Sequence, residues 1–264
     1  MHLRVTKYGS LTDRVAVYIC MRYICVALFA FSILFVASVT AQTVTITGQK
    51  KVYTRVKPIT GFKKTFTINR PIAKAATPAL SRKISAAIDP VNVLEINIRE
   101  ELTEMQWLSE ADFQEVFNKD GVLTMMLWME GSAAYTDGVT KYVVIDVANG
   151  DRLIPASVFI DLHGLVAAVK KKQDAEIEKA IKDIKADPEF AAADDDPKRL
   201  FEETTFEEKD LDNFAVDMAG IAFFYDYGFP NALKALEPEG ELRLSWAEIK
   251  PFIKQDGLLA RFVR

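Results

Sequence analysis

Cysteine and histidine are almost missing from this chain. The only cysteines are Cys20 and Cys25, and the only histidines are His2 and His163. Both cysteines lie at or before an apolar run near the N-terminus, so the rest of the chain has no thiol with which to form a disulfide. Zinc sites draw on several Cys or His ligands, and one remaining histidine cannot supply them. A Ser-His-Asp triad would have to use His163, and no G-x-S-x-G elbow accompanies it. The glycine patterns of Walker and Rossmann phosphate loops are missing as well. No metal and no cofactor is therefore expected, and no catalytic residue is assigned.

Positive charge is also in short supply. Lys and Arg number 33 against 37 Asp and Glu, a net charge of −4 at pH 7. Phosphate backbones are held by clustered Lys and Arg, so nucleic acid is not an expected partner. Half of the residues are apolar and 27% are charged. That is ordinary globular composition without a signature of disorder.

The clearest signal lies at 21–42, MRYICVALFAFSILFVASVTAQ. Arg22 gives a short positive start, residues 24–36 an apolar stretch, and Val39-Thr40-Ala41 the small residues that a signal peptidase needs. Cleavage between Ala41 and Gln42 is expected, in a bacterial chain bound for the periplasm or the medium. Met21 is a natural start for this segment, so residues 1–20 read as an upstream extension. The uncharged residues 23–40 are also just long enough to span a bilayer, so an uncleaved, outward-facing inner-membrane anchor is the alternative. Removing residues 1–41 takes away Arg4, Lys7, Arg14 and Arg22 against Asp13 alone, which leaves the exported part more acidic than the whole.

After Gln42 the residues to Pro71 are rich in Thr, Val, Ile, Tyr and Phe and punctuated by Gly and Pro, which predicts two or three short strands. Residues 73–88 carry Leu80, Ile84, Ala87 and Ile88 on one helical face, with Pro78 in the first turn and Pro90 as a stop. Residues 91–98 read as a strand. Ser109 with Asp112 three residues on, followed by Phe113, Val116 and Phe117, reads as a capped helix. Asp120-Gly121 and Asn149-Gly150 punctuate a β-meander whose strong apolar runs are 122–129 and 141–147. Residues 160–186 form the clearest amphipathic helix, and the acidic 187–198 an exposed loop without EF-hand spacing. Strands are predicted at 211–216, 221–225 and 241–245, with a short helix opening at Ser245 or Trp246 and running to Ile253.

Two features carry possible chemistry. Asp210/Asp212 and Glu237/Glu239 are carboxylate pairs of the kind a glycosidase uses, although abundant acids also pair as solvated turns. The run Phe223-Phe224-Tyr225-Asp226-Tyr227-Gly228-Phe229 is the most distinctive composition in the chain. Alternate members such as Phe223 and Tyr225 fit the core face of a strand. Tyr227 and Phe229 fall in the expected turn after it and are candidate ligand contacts, since aromatics with a polar handle favour binding surfaces.

At these residues the chain resembles the extracytoplasmic module shared by the anti-sigma factor RsiV and the peptidoglycan deacetylase PdaC. The resemblance rests on DVANGDRLIPASVF at 146–159, the helix after Ile160, LDNFAVDMAGIAFFYDYGFP at 211–230 and LRLSWAEIKPFI at 242–253. It is stronger from Tyr142 onward than before Lys119. Members of that family carry a Tyr-Thr-Gly-Gly-Ala-His-like turn. Here Tyr135-Thr136-Asp137-Gly138-Val139 keeps Tyr-Thr and one Gly and lacks the His. Tyr135 in this turn is a third candidate ligand contact. The resemblance implies a ligand-sensing or wall-associated module, with a cell-wall glycan or a lysozyme-type protein as partner. The sequence carries no deacetylase domain and no sigma-binding segment beside it.

The expected fold is α+β, with antiparallel meanders packed on several helices, an N-terminal lobe over 42–119 and the RsiV/PdaC-like domain over 120–264. The expected function is a non-enzymatic binding or structural module of the cell envelope. A carboxylate-based wall hydrolase and a membrane-anchored sensor are the alternatives.

Overall fold

The computed structural model describes residues 43–132, 136–186 and 196–264. The expected cleavage site at Ala41 and Gln42, the apolar segment before it, and Tyr135 lie outside the described residues. Among the described residues no helix is long and apolar enough to cross a membrane.

The fold is α+β, as expected. Strands β1 (Thr45–Thr54) and β2 (Thr65–Lys74) form a long hairpin. Helices α1 (Pro78–Ala87), α2 (Pro90–Val93) and α3 (Ile98–Thr103) follow. Then come β3 (Leu108–Lys119), β4 (Val122–Ser132), β5 (Thr136–Asp146) and the two-residue β6 (Asp151–Arg152). The six strands make one sheet in sequence order, antiparallel except for a short parallel contact between β2 and β3. Helices α4 (Pro155–Val158) and α5 (Leu162–Ala186) lead to a second, antiparallel sheet of β7 (Phe214–Val216), β8 (Gly220–Phe224) and β9 (Glu241–Ser245). Helix α6 (Trp246–Ile249) and 3-10 turns close the chain.

Strands β4 and β5 are apolar on both faces because each face covers a core, the condition under which strands read as continuous hydrophobic runs. Leu123, Met125, Leu127, Val143 and Ile145 point to one side and pack with Phe66, Ile68, Ile84 and Ile88. Val122 and Val144 point to the other and join α5, α6 and the second sheet through Leu165, Val169, Phe214, Phe223 and Leu244. The Asp120-Gly121 turn between β3 and β4 has positive φ at both residues, 52° and 77°, as a two-residue hairpin requires. The expected lobe boundary at 119/120 is the tip of this hairpin. Its strands pair from Leu108↔Gly131 to Lys119↔Val122, so one sheet runs across that position.

Three local expectations need correction. Residues 109–117 are strand, not helix. β3 carries register shifts between Leu108 and Glu110 and between Glu115 and Phe117. Each bulge inserts a residue and resets the alternation. Phe113, Val116 and Phe117 have the spacing of a helical face, but here Phe113 packs on the core of the first face and Phe117, beyond the second bulge, in the core of the other. Residues 91–98 carry the end of α2, a turn and the start of α3, not a strand. Asp89 accepts the Val91 N–H (3.1 Å), Pro90 starts α2, and Asn97 accepts the Glu100 N–H to cap α3 (3.3 Å). The expected two or three short N-terminal strands are two strands of ten residues each. Pro71 interrupts neither, because β2 meets β3 only at Thr67 and Ile68 and has a free side at Pro71.

Candidate binding groove

The free part of β5, the segment 203–213 and the residues leaving β8 enclose a groove of about 750 Å³. A second recess of about 460 Å³ shares Val139, Thr140, Asn213, Phe224, Tyr225 and Asp226 with it, so the two are continuous. Asn213 fixes this geometry. Its side-chain Oδ1 accepts the Tyr142 N–H at 2.8 Å, and its backbone C=O accepts the Phe224 N–H at 2.9 Å. One residue thus holds β5 against the end of β8.

The floor is aromatic, with Phe224 lining both recesses and Tyr142 the smaller one. The Tyr142 and Phe224 rings stack at 3.8 Å between centroids and 9° between planes. The Tyr142 hydroxyl contacts Met126 Sδ at 3.2 Å, and its pKa is raised, first by burial and then by the charge of Glu241. Tyr225, next in the chain after Phe224, borders both recesses while its ring packs against Phe206 and Tyr227, and its pKa is raised by burial and then by Asp210. Its place depends on Gly240, which has φ +68° and would put a Cβ 1.9 Å from the Tyr225 carbonyl oxygen. Only glycine fits there.

The rim is acidic. Acidic side chains outnumber basic ones along both recesses. Several are already engaged. Lys209 Nζ meets Glu207 at 2.7 Å, Lys234 Nζ meets Glu237 at 2.6 Å, and Asp210 accepts the Glu207 N–H at 2.7 Å. Glu237 also accepts the Phe229 N–H at 3.0 Å. The carboxylate pairs singled out in the sequence therefore both line the groove, Asp210 and Asp212 in the larger recess and Glu237 and Glu239 in the smaller. What they offer a ligand is a surface for cationic groups over an aromatic floor.

Of the sequence-derived ligand contacts, the two within the described residues do not form this floor. Tyr227 and Phe229 are buried, 6% and 5% exposed. Phe201 meets both rings edge-on at 5.7 and 5.2 Å, and Ile184 of α5 packs with them. The Tyr227 hydroxyl donates to Glu176 Oε2 at 2.8 Å, and its pKa is raised by burial and then by that hydrogen bond. Both residues continue the alternation of Ile221, Phe223 and Tyr225 beyond the end of β8, so all five turn the same way, inward. That period of two was present in the sequence. Tyr142 carries no signal of its own within an apolar run, and Phe224 stands in the aromatic run without a role assigned to it. His163 is exposed in the first turn of α5. Among the described residues no cluster of His, Cys, Asp or Glu has the arrangement of a metal site.

No family model matches the sequence, and neither does any curated protein. Solved structures do match the fold. A DUF3298 family protein from Bacteroides fragilis superposes with a TM-score of 0.52 at 13% identity, over 84% of this chain and 97% of its own. A DUF3298 family protein from Pseudomonas aeruginosa gives 0.50 at 15% identity, over 81% and 94%. The likeness at such identity is one of fold, and the fold of this chain is the one seen in DUF3298 structures.

Proposed function

We propose that the protein is an exported, non-enzymatic binding module of the cell envelope, and that the acid-rimmed groove beside β5 is its ligand face. The observation that carries this reading is the groove itself, where a stacked Tyr142–Phe224 floor lies between carboxylates with few cations to neutralise them. The resemblance to the RsiV/PdaC module supports a wall glycan or a lysozyme-type protein as the ligand. The signal-like segment at 21–41 supports export to the periplasm or medium. Between the two ligands, the charge of the rim favours a basic protein.

The test is binding of residues 42–264 to soluble peptidoglycan fragments and to a lysozyme-type protein. The expected result is protein binding that weakens with salt, since exposed charges are screened over about 10 Å at 0.1 M, and that weakens again in Asp210→Asn and Glu239→Gln. Binding to neither ligand ends the proposal. Release of glycan fragments by the protein, lost in Asp210→Asn, would establish the hydrolase instead. N-terminal sequencing of exported material, expected to begin at Gln42, separates the cleaved form from an anchored one.

A further inference from the structure

Among the described residues the large sheet is open along half of β5. That strand runs eleven residues, yet β6 pairs with it only at Ile145 and Asp146. Its register with β4 is unbroken from Val122↔Asp146 to Ser132↔Thr136. Tyr142 donates its N–H to Asn213, and Val144 accepts the Leu153 N–H at 2.8 Å, so even-numbered residues turn their backbone groups away from β4. By the same alternation the N–H and C=O of Thr140 and the C=O of Gly138 face outward. Among the described residues nothing pairs with them. The Gly138 N–H is satisfied locally by Asp137 Oδ1 at 2.8 Å. The open stretch, 137–141, is about 16 Å long at the rise of a strand. Natural edges are blunted by proline, bulges, charged side chains or covering segments; this stretch has no proline and no bulge, and its charged residues, Asp137 and Lys141, stand only at its two ends. It borders both recesses of the groove, and acidic residues line each, Asp210 and Asp212 in one and Glu239 and Glu241 in the other.

We propose that this edge receives an extended, lysine- or arginine-rich segment of a partner protein, added as a strand beside β5. The backbone of Thr140 and Gly138 supplies the ladder, and side chains alternating along the added strand meet carboxylates in the two recesses. Opposite charge selects the partner and speeds its approach. The proposal rests on the groove being the ligand face, and it narrows the ligand to a polypeptide.

The probe is a fluorescent ten-residue peptide of alternating Lys and Thr, with an alternating Glu and Thr peptide as control, titrated into the purified protein. Two further Lys-Thr peptides carry N-methyl groups on the odd or on the even residues. The expected result is binding of the Lys-Thr peptide, no binding of the Glu-Thr peptide, and a loss of at least tenfold on methylation of one set but not the other, because only alternate N–H groups of an added strand face β5. Thr140→Pro, which removes an outward N–H and leaves the β4 ladder intact, is expected to lose at least tenfold, and Thr140→Ala to retain binding. Equal binding of both methylated peptides, or unchanged binding in folded Thr140→Pro, would mean attraction by charge alone and overturns strand addition. Glycan binding without peptide binding overturns it and leaves the proposed function standing. Self-association that Thr140→Pro abolishes, with no peptide binding, would make a second copy the occupant, through the terminal strand β1 with its Lys50 and Lys51, and also overturns it.

Discussion

The ring of Tyr142 in β5 lies nearly parallel to that of Phe224 at the end of β8, with centroids 3.8 Å apart. The contact joins the two sheets and makes the floor of the groove. Aromatic pairs contribute about 0.5–1.5 kcal/mol beyond the area they bury. A double-mutant cycle of Tyr142→Leu and Phe224→Leu, read by urea unfolding, is therefore expected to return a coupling in that range. A coupling near zero would show that the rings stack without stabilising each other.

A second tie lies inside the N-terminal part. The Arg55 side chain is fully buried and donates to the carbonyls of Lys63, Glu101 and Leu108. It also faces the Glu101 carboxylate at 3.4 Å, which accepts the Leu108 N–H at 2.8 Å. Removing one partner of a buried ion pair costs about 3–5 kcal/mol, because the other charge is left without compensation. Arg55→Met is expected to lower the unfolding free energy, read by urea unfolding, by an amount of that order. Arg55→Met with Glu101→Leu is expected to cost less than Arg55→Met alone. The reverse ranking would show that the hydrogen bonds to backbone, rather than the charge pair, set the cost.

Much of this fold was legible in the sequence, and the reasons differ by element. β9 lies at Glu241–Ser245 as read, because Gly240 and the Ser245 cap bound it chemically. The long helix was read from its amphipathic face and runs Leu162–Ala186. β3 was misread because Phe113, Val116 and Phe117 have helical spacing, and the bulges that break the strand's alternation leave no mark in the sequence. The groove was legible only in its acids. Its walls come from 137–142, 203–213 and 224–226, which are far apart in sequence. Its open edge exists because β6 stops after two residues, and a missing strand partner leaves no pattern in the strand that lacks it. Tyr227 and Phe229 show the converse: a distinctive composition drew attention to side chains that packing had already used.

Thr124 offers a test of how the sheets are joined. It sits fully buried in β4, donates its hydroxyl to the Val216 carbonyl at 2.8 Å and accepts the Val216 N–H at 3.3 Å. Thr124→Val keeps the shape and removes both bonds, leaving two backbone groups of β7 without a partner. Each buried unsatisfied group costs about 1–3 kcal/mol. Thr124→Val is expected to destabilise by at least that amount in denaturant unfolding, and Thr124→Ser to cost less. Equal stability of Thr124→Val and the wild type would mean that Val216 finds other partners.

Glu248 makes stability depend on acid. It accepts Lys172 Nζ from α5 at 2.7 Å, and the N–H and Oγ of Ser245 at 2.8 and 2.7 Å. The bond from Lys172, followed by those from Ser245, lowers its pKa to about 2. An unfolded glutamate titrates near ~4.3. The folded value is the lower one, so the unfolded chain takes up the proton first as pH falls. The contribution of Glu248 is therefore complete above about pH 5 and is lost on acidification towards pH 2. Wild type and Glu248→Gln should differ in urea midpoint at pH 7, and the difference should shrink at pH 3 and close near pH 2. Carboxylates elsewhere titrate in both proteins and cancel in that difference. Added salt should narrow the gap at pH 7, because the Lys172 partner is exposed and screened. A gap that stays constant from pH 7 to pH 2 would mean that Glu248 stabilises the start of α6 by shape and not by its charge.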